Sequence, residues 1–492
     1  MKKGFDSKKY FEIQTTEILK RIDMFNNKLY LEFGGKLFDD YHASRVIPGF
    51  KPTSKLELLY KLRKKLEIIL CISAKDIETH KIRADFGITY DLEVLRLIDI
   101  LRNMDISVNS VVITQFVGQT SAVSFRKKLE NRNVKTYTHE LTKGYPTDVD
   151  VILSDEGYGA NSYIETTKPL VIVTAPGPGG GKLATCLSQL YHEHKRGIKA
   201  GYAKFETFPV WDLPLKHPVN VAYEAATVDL KDTNMVDFFH LEKYGVTAIN
   251  YNRDMEVFPV LKTILTKISG TSMYHSPTDM GVNMIGSCIS DDKIVREHAR
   301  YEIIRRYYKS LCDYKKGLID ENASNRIKVS MDELGITLDE RVVIKAATEK
   351  SMKEQKPVVA IQLHNGKVIT GKDTQVMTAA ASCVVNAIKH LAKIKDEIHL
   401  LPPLVVGPML KIKEDLAAND NYLLSLQDVI IGLSISAVTN PTVELALNQL
   451  SQIKTCDAHA SYFIPQVDEQ MLRDLKITLT TEPEYFTNKL FF

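Results

Sequence analysis

"PLVIVTAPGPGGGKLATCLSQLYHE", residues 169–193, runs from an apolar stretch through a glycine-proline loop to a lysine and a helix-like segment. A buried strand that breaks on glycines and passes into a helix is a building unit of parallel α/β sheets. It is also how such folds cradle a phosphate. The phosphate-loop motif reads G-x-x-x-x-G-K-[ST], with backbone amides around the phosphates, the lysine on the terminal ones and the hydroxyl on Mg²⁺. With Lys182 placed on the motif lysine, Gly181 fits the preceding glycine, whereas Pro176 stands at the first glycine and Leu183 at the hydroxyl. Thr185 lies three residues past the lysine, on another part of the helix. The loop is therefore P-loop-like but degenerate. Gly177, Gly179, Gly180 and Gly181 with Lys182 suit an anion, at a helix start whose dipole presents its positive end. The plain alternative is a strand-to-helix turn with nothing bound.

Outward from this stretch the same alternation continues. "KLEIILCIS" (65–73), "SVVITQF" (110–116), "VKTYTHEL" (134–141), "DVDVILS" (148–154) and "AGYAKFETF" (200–208) read as strands. "DLEVLRLIDILRNMDI" (91–106) and "AVSFRKKLENRN" (122–133) have helical spacing, and "LYLEFGG" (29–35) is a strand with a glycine turn. Short apolar runs between amphipathic helices predict a Rossmann-like, largely parallel sheet covered on both faces. Three parts are expected: an N-terminal α/β domain over 1–222, a mainly helical segment over 223–325, and a C-terminal α/β domain over 326–492. In the last, "RVVIKAATEKSMKEQ" reads as a helix. "PVVAIQLHNGKVITGK" reads as a hairpin turning at Asn365-Gly366, and "QVMTAAASCVVNAIKHLAKI" as a buried helix.

Composition is that of an ordinary globular chain, 44% apolar and 25% charged. A formal charge of +3, from 64 basic against 61 acidic residues, argues against a nucleic-acid or membrane partner. "MKKGFDSKKYFEIQ" lacks the apolar segment of a signal peptide, and no run reaches the roughly 18 apolar residues of a membrane span. Six scattered cysteines without CxxC spacing read as reduced thiols, so a cytoplasmic location is expected.

Other polar clusters are candidates for ligand contact or acid–base work. "FGGKLFDDYHASR" (33–45) brings Lys36, Asp39, Asp40, His42 and Arg45 together after a strand. "INYNRDMEVFPV" (249–260) supplies Arg253 and Asp254, and "SPTDMGVNMIG" (276–286) supplies Asp279 and Asn283. A turn with local ion pairs explains the first cluster equally well, and capping and turn formation explain residues like those of the other two more often. No zinc signature is present: His192 and His194 fall on different helix faces, and Cys456 with His459 is an isolated pair.

Three stretches, "TTKPLVIVTAPGPGGGKLATCLSQLYHE", "GYAKFETFPVWDLPLKHPVNVAYEAAT" and "SPTDMGVN", resemble a bacterial family of about this chain's length known only as a domain of unknown function. The resemblance runs nearly end to end. It implies an N-terminal α/β part, a helical insertion and a C-terminal part of cytidine-deaminase-like topology. It implies no reaction and no catalytic residues, and the missing zinc ligands argue against deamination.

The reading that follows is a cytosolic enzyme that binds a nucleotide or another phosphorylated small molecule, for phosphoryl transfer or ligation. Gly177, Gly179, Gly180, Gly181 and Lys182 would hold the phosphate, with Lys36, Lys204 and Arg253 as further anion contacts. Asp39, Asp40, Asp254 or Asp279 would serve as base or metal ligand, although no metal site is expected and Leu183 gives Mg²⁺ no support. The alternative is a non-catalytic anion-sensing or assembly protein, and self-association stays open. A third reading places a metal-free nucleoside site at His364, Lys372, Asp373 and Cys383.

Overall fold

The computed structural model describes residues 3–83, 87–416 and 422–486. The chain separates into two compact units, Lys2–Ala299 and Arg300–Phe492.

The first unit is built on a seven-stranded, all-parallel sheet: β1 Leu29–Phe33, β2 Leu66–Ser73, β3 Val108–Thr114, β4 Thr136–Thr138, β5 Leu170–Thr174, β6 Gly201–Phe205 and β7 Gly281–Val282. Their order across the sheet is β7-β6-β1-β5-β2-β3-β4. All residues of β1, β2 and β5 are buried, which is why they read as unbroken apolar runs rather than alternating ones. The helices that matter here are α1 Ser7–Met24, α2 Ser54–Leu62, α3 Tyr90–Asn103, α4 Thr120–Glu130, α5 Lys182–Lys195 and α6 Asn252–Ser269. From β1 the chain steps outward through β2, β3 and β4, then returns to insert β5 between β1 and β2. It leaves in the opposite direction through β6 and β7. Right-handed crossovers place the connections of these two runs on opposite faces. The carboxyl ends of β1 and β5 therefore flank a topological switch point, where open α/β sheets bind ligands.

"DVDVILS" is a correction. Residues Val149–Ile152 form a short helix, not a strand. Asp148 caps it by accepting from the Val151 amide at 3.1 Å, and this local bond offers the backbone an alternative to a sheet ladder. The segment after 222 is also less purely helical than expected, since Asn234–Val236 and Ile249–Tyr251 pair as a two-stranded antiparallel ladder ahead of α6.

Helix α7, Asp292–Lys315, runs through the boundary between the units. The second unit carries α8 Val342–Glu354 and a four-stranded mixed sheet of β8 Val358–Gln362, β9 Val368–Lys372, β10 Asp457–Ala460 and β11 Thr478–Thr481, in the order β9-β8-β10-β11. The hairpin of β8 and β9 turns at Asn365-Gly366, where Gly366 adopts a positive φ of 86°. Helix α9, Ala379–Leu391, packs so tightly on β9 that a Cβ on Gly371 would lie 2.1 Å from the Cys383 nitrogen. The helices that follow include α10 Pro403–Leu416, α11 Leu426–Ala437 and α12 Pro441–Leu447. No described helix is long and apolar enough to cross a membrane, and all six cysteines are free and buried.

Candidate functional site at the carboxyl edge of the parallel sheet

The loop at 175–181 leaves the end of β5 at the switch point and turns into α5. Gly181 is the N-cap of α5, in the left-handed region at φ 81°, and no side chain caps the first turn. The leading amides of α5 thus face the loop without a side-chain acceptor. A Cβ on Gly181 would meet the Thr114 side chain at 2.7 Å, and Thr114 Oγ1 donates to the Gly180 carbonyl at 3.0 Å. A Cβ on Gly177 would lie 2.2 Å from the Tyr90 hydroxyl, and one on Gly180 would lie 2.7 Å from the Ala175 Cβ. Only Gly179, at φ 78°, faces open space.

Lys182 is partly exposed and makes no hydrogen bond or ion pair among the described residues. Its charge reaches the Cys71 and Cys186 thiols, which also feel the Glu32 carboxylate on β1. Burial pushes the Cys71 thiol up to about 12 and that of Cys186 well above its ordinary value, so both stay protonated and neither is an activated nucleophile. Thr185 does not replace the missing motif hydroxyl: its Oγ1 turns back to the Gly181 carbonyl at 3.0 Å. Leu183 packs against the core.

On the other side of β1 a buried charge cluster closes the edge. Glu32 and Lys204 are register partners on β1 and β6, so their side chains share a face. Glu32 accepts from the Tyr202 hydroxyl at 2.8 Å. The Lys204 ammonium contacts Glu206 Oε1 at 2.6 Å and the Tyr251 hydroxyl at 2.5 Å, and pairs closely with Asp254. Burial would lower the Lys204 pKa, but the carboxylates of Asp254, Glu206 and Glu32 together hold it well above the usual value. Burial acts in the opposite sense on Glu206 and, helped by Asp254 against the pull of Lys204, raises its carboxyl to about 6. Two buried hydroxyls without partners among the described residues, Thr174 Oγ1 and Thr207 Oγ1, also lie at this edge, at the end of β5 and just past that of β6.

The loop after β1 is held by a buried lysine that sequence reasoning passed over. Lys55 on α2 donates to Asp40 Oδ2 at 2.9 Å and to the carbonyls of Lys36 at 3.1 Å and Gly34 at 3.5 Å. Burial would raise the Asp40 carboxyl, but Lys55 and the Ala43 amide outweigh it and hold it below its ordinary value. Asp40 also caps the helix Tyr41–Val46, so its bonds are structural. Asp39 pairs with Arg96 at 3.1 Å.

The remaining candidates are more dispersed. Arg253 donates to buried Asp232 at 2.8 Å. Asp279 precedes β7, with β6 and β1 standing between β7 and β5, and accepts from the Tyr244 hydroxyl and the His275 amide, both at 2.9 Å. Asn283 ties down the Thr207 and Pro209 carbonyls at 3.2 and 3.0 Å. His42 packs edge-on against Phe208.

In the second unit, His364, Lys372, Asp373 and Cys383 do not converge. His364 sits in the hairpin turn, its ring Nε2–H donating to the Lys454 carbonyl at 2.9 Å, while Lys372 pairs with Glu354 at the far end of β9. Asp373 accepts from the Ala379 amide at the start of α9 at 2.6 Å. Cys383 is buried against the Ile369 carbonyl.

Two family models cover almost the whole chain: the N-terminal model of the domain of unknown function DUF1846 matches residues 3–335 and its C-terminal model residues 339–491. Among curated relatives, UPF0371 proteins of Clostridium tetani and Clostridioides difficile are each 54% identical over 501 residues. One from Clostridium botulinum is 53% identical, and all three alignments cover the full length of both chains.

Proposed function

This chain belongs to the DUF1846 family of unknown function, and from the geometry of the 175–181 loop we propose that it is a cytosolic enzyme of phosphorylated small molecules. Its substrate is a nucleotide or a related phosphate ester, bound where the 175–181 loop enters α5, and its reaction is phosphoryl transfer or ligation. One observation carries the reading: Lys182, beside an uncapped helix start and two left-handed glycines, has an ammonium that no described residue engages. An ammonium at such a place is available to an anion, and backbone amides with a helix dipole supply the rest of a phosphate cradle. The loop is P-loop-like in this limited sense.

Glu206 supplies the proton chemistry. A largely buried carboxyl raised to about 6 exchanges a proton near neutral pH, as suits a group accepting from an attacking hydroxyl. Lys204, at 2.6 Å, and the Tyr251 hydroxyl, which donates to Glu206 Oε1 at 2.9 Å, fix its orientation. Leu183 offers no hydroxyl to Mg²⁺, so a conventional Mg-ATPase centre is not part of the reading. That same residue favours the second reading, a non-catalytic sensor in which the loop binds an anion without turnover.

Equilibrium binding of labelled ATP and sugar phosphates to the wild type and to Lys182→Ala tests the assignment. Undiminished binding by the variant overturns it. Turnover of a bound ligand that Glu206→Gln abolishes separates enzyme from sensor.

A further inference from the structure

The second unit holds a polar corner at one edge of its mixed sheet. Strands β9 and β10 both run antiparallel to β8, so their carboxyl ends meet at the amino end of β8. Asp373, the residue after β9, donates its amide to the Pro357 carbonyl at 3.1 Å. Ser461, the residue after β10, donates its own to the Val358 carbonyl at 2.9 Å. Tyr462 comes next along the chain, followed by helix α13, Gln466–Asp474, which carries Asp468. The starts of α9 and α11 are tied together at the same corner, where the Thr378 amide donates to the Leu424 carbonyl at 3.1 Å.

Two carboxylates serve these helix starts, and each spends only one oxygen there. Asp373 Oδ1 accepts from the Ala379 amide and Asp468 Oδ1 from the Leu426 amide, both at 2.6 Å. Asp468 is 0% exposed, yet its Oδ2 has no hydrogen-bond partner among the described residues. The same holds for the hydroxyl of Tyr462, which is 7% exposed. Burial and then the charges of Asp373 and Asp468 push that hydroxyl well above its ordinary value, so it stays neutral and lies within reach of both carboxylates. Burial, opposed by the Ala379 amide and helped by Asp468, raises the Asp373 carboxyl to about 6. Capping accounts for one oxygen of each aspartate, and a buried acceptor left over calls for a donor. No described lysine or arginine supplies it. Lys413, whose charge reaches Asp468, is held by Asp428 at 2.6 Å, and Lys356, whose charge reaches Asp373, is exposed.

We infer that this corner binds a primary ammonium group, either the free ion or the amine of a small molecule. Three acceptors are left over there, Asp468 Oδ2, the second oxygen of Asp373 and the Tyr462 hydroxyl, and an ammonium group has three N–H donors to give. Asp373 is only half-buried, so the corner opens to solvent on that side. A divalent metal fits less well, since among the described residues no group of three or more His, Cys, Asp or Glu side chains is placed to hold one. Lys182 and the 175–181 loop belong to the first unit and take no part.

Scanning calorimetry of the full-length chain well above pH 6, where Asp373 is ionised, tests the inference with the chlorides of ammonium, methylammonium, potassium and tetramethylammonium. At about 100 mM, ammonium or methylammonium should raise the melting temperature by about 3 °C over tetramethylammonium, which carries the charge without an N–H. A shift from ammonium alone identifies the free ion as the ligand, and an equal or larger shift from methylammonium identifies an amine. Asp468→Asn, which keeps an oxygen for the Leu426 amide, and Tyr462→Phe should each weaken binding about tenfold and lose most of that shift. No shift with either amine, an equal shift from potassium, or shifts that persist in both variants overturns the proposal. So does a melting temperature that rises only on acidification through pH 6, since a shared proton would then fill the corner.

Discussion

Replacing Lys55 by methionine should cost the parallel-sheet unit about 3–5 kcal/mol at neutral pH, the usual penalty for removing one partner of a buried ion pair. Lys55 is 1% exposed, and its ammonium satisfies the Asp40 carboxylate and the carbonyls of Lys36 and Gly34. Methionine matches the stem but leaves Asp40 with little beyond the Ala43 amide. The pH dependence follows from Asp40. In the wild type its folded pKa is depressed, so its stabilisation is present above the unfolded carboxylate value and lost as pH falls through the folded one. In the variant the burial that already opposes ionisation is no longer outweighed, the folded pKa rises, and stability recovers as Asp40 takes up a proton. The gap between the two proteins should be widest at neutral pH and narrow below about pH 4. Trp211, the single tryptophan, lies in the first unit with its indole N–H on the Asn283 carbonyl at 3.0 Å, so guanidinium unfolding followed by its fluorescence reads this unit. A loss under about 1 kcal/mol, or a gap that does not change with pH, would refute the argument. Adding Asp40→Asn to Lys55→Met should restore part of the loss, because it removes the stranded charge.

Other outcomes follow from the same site. Glu206 binds its proton more tightly folded, at about 6, than its ordinary value of 4.5, so its contribution to stability is full below about pH 4.5 and declines as pH rises through 6. Glu206→Gln should flatten that part of the stability profile, read by the same fluorescence titration; an unchanged slope would remove Glu206 from the proton-transfer role. Gly181→Ala should cost about 2–4 kcal/mol, combining left-handed strain with the clash on Thr114. Gly179→Ala, equally left-handed but facing open space, should cost only about 1 kcal/mol. Equal losses from the two alanines would contradict the loop geometry.

The parallel sheet was legible because its strands are buried on both faces and so appear as continuous apolar runs. β2, β3, β5 and β6 fall within two residues of where those runs predict them at nearly every end. The helix starting at Lys182 and the hairpin at Asn365-Gly366 were legible from glycine chemistry. The short helix at Val149–Ile152 was not, because a single aspartate cap decides it against an alternating pattern. Of the site, the loop stood out and its neighbours did not. Glu32, Lys55 and Glu206 each sit alone in apolar or mixed surroundings, and their meaning comes from partners far away in the chain. A charge inside an otherwise apolar strand, as in "LYLEF" and "AKFETF", was the available signal. Conversely, Asp39 and Asp40 looked reactive in sequence because both signs of charge crowd there, and that crowding is spent on ion pairs with Arg96 and Lys55.

The most direct test of the central claim is calorimetric binding of ATP, a sugar phosphate and inorganic phosphate to the wild type and to Lys182→Ala. Because the Lys182 ammonium engages no described residue, the variant should unfold within about 0.5 kcal/mol of the wild type. Its affinity for the phosphate ligand should fall roughly tenfold to a hundredfold, the worth of one charged hydrogen bond. Binding that is undiminished in the variant, or absent from the wild type for every phosphate tried, would contradict the account.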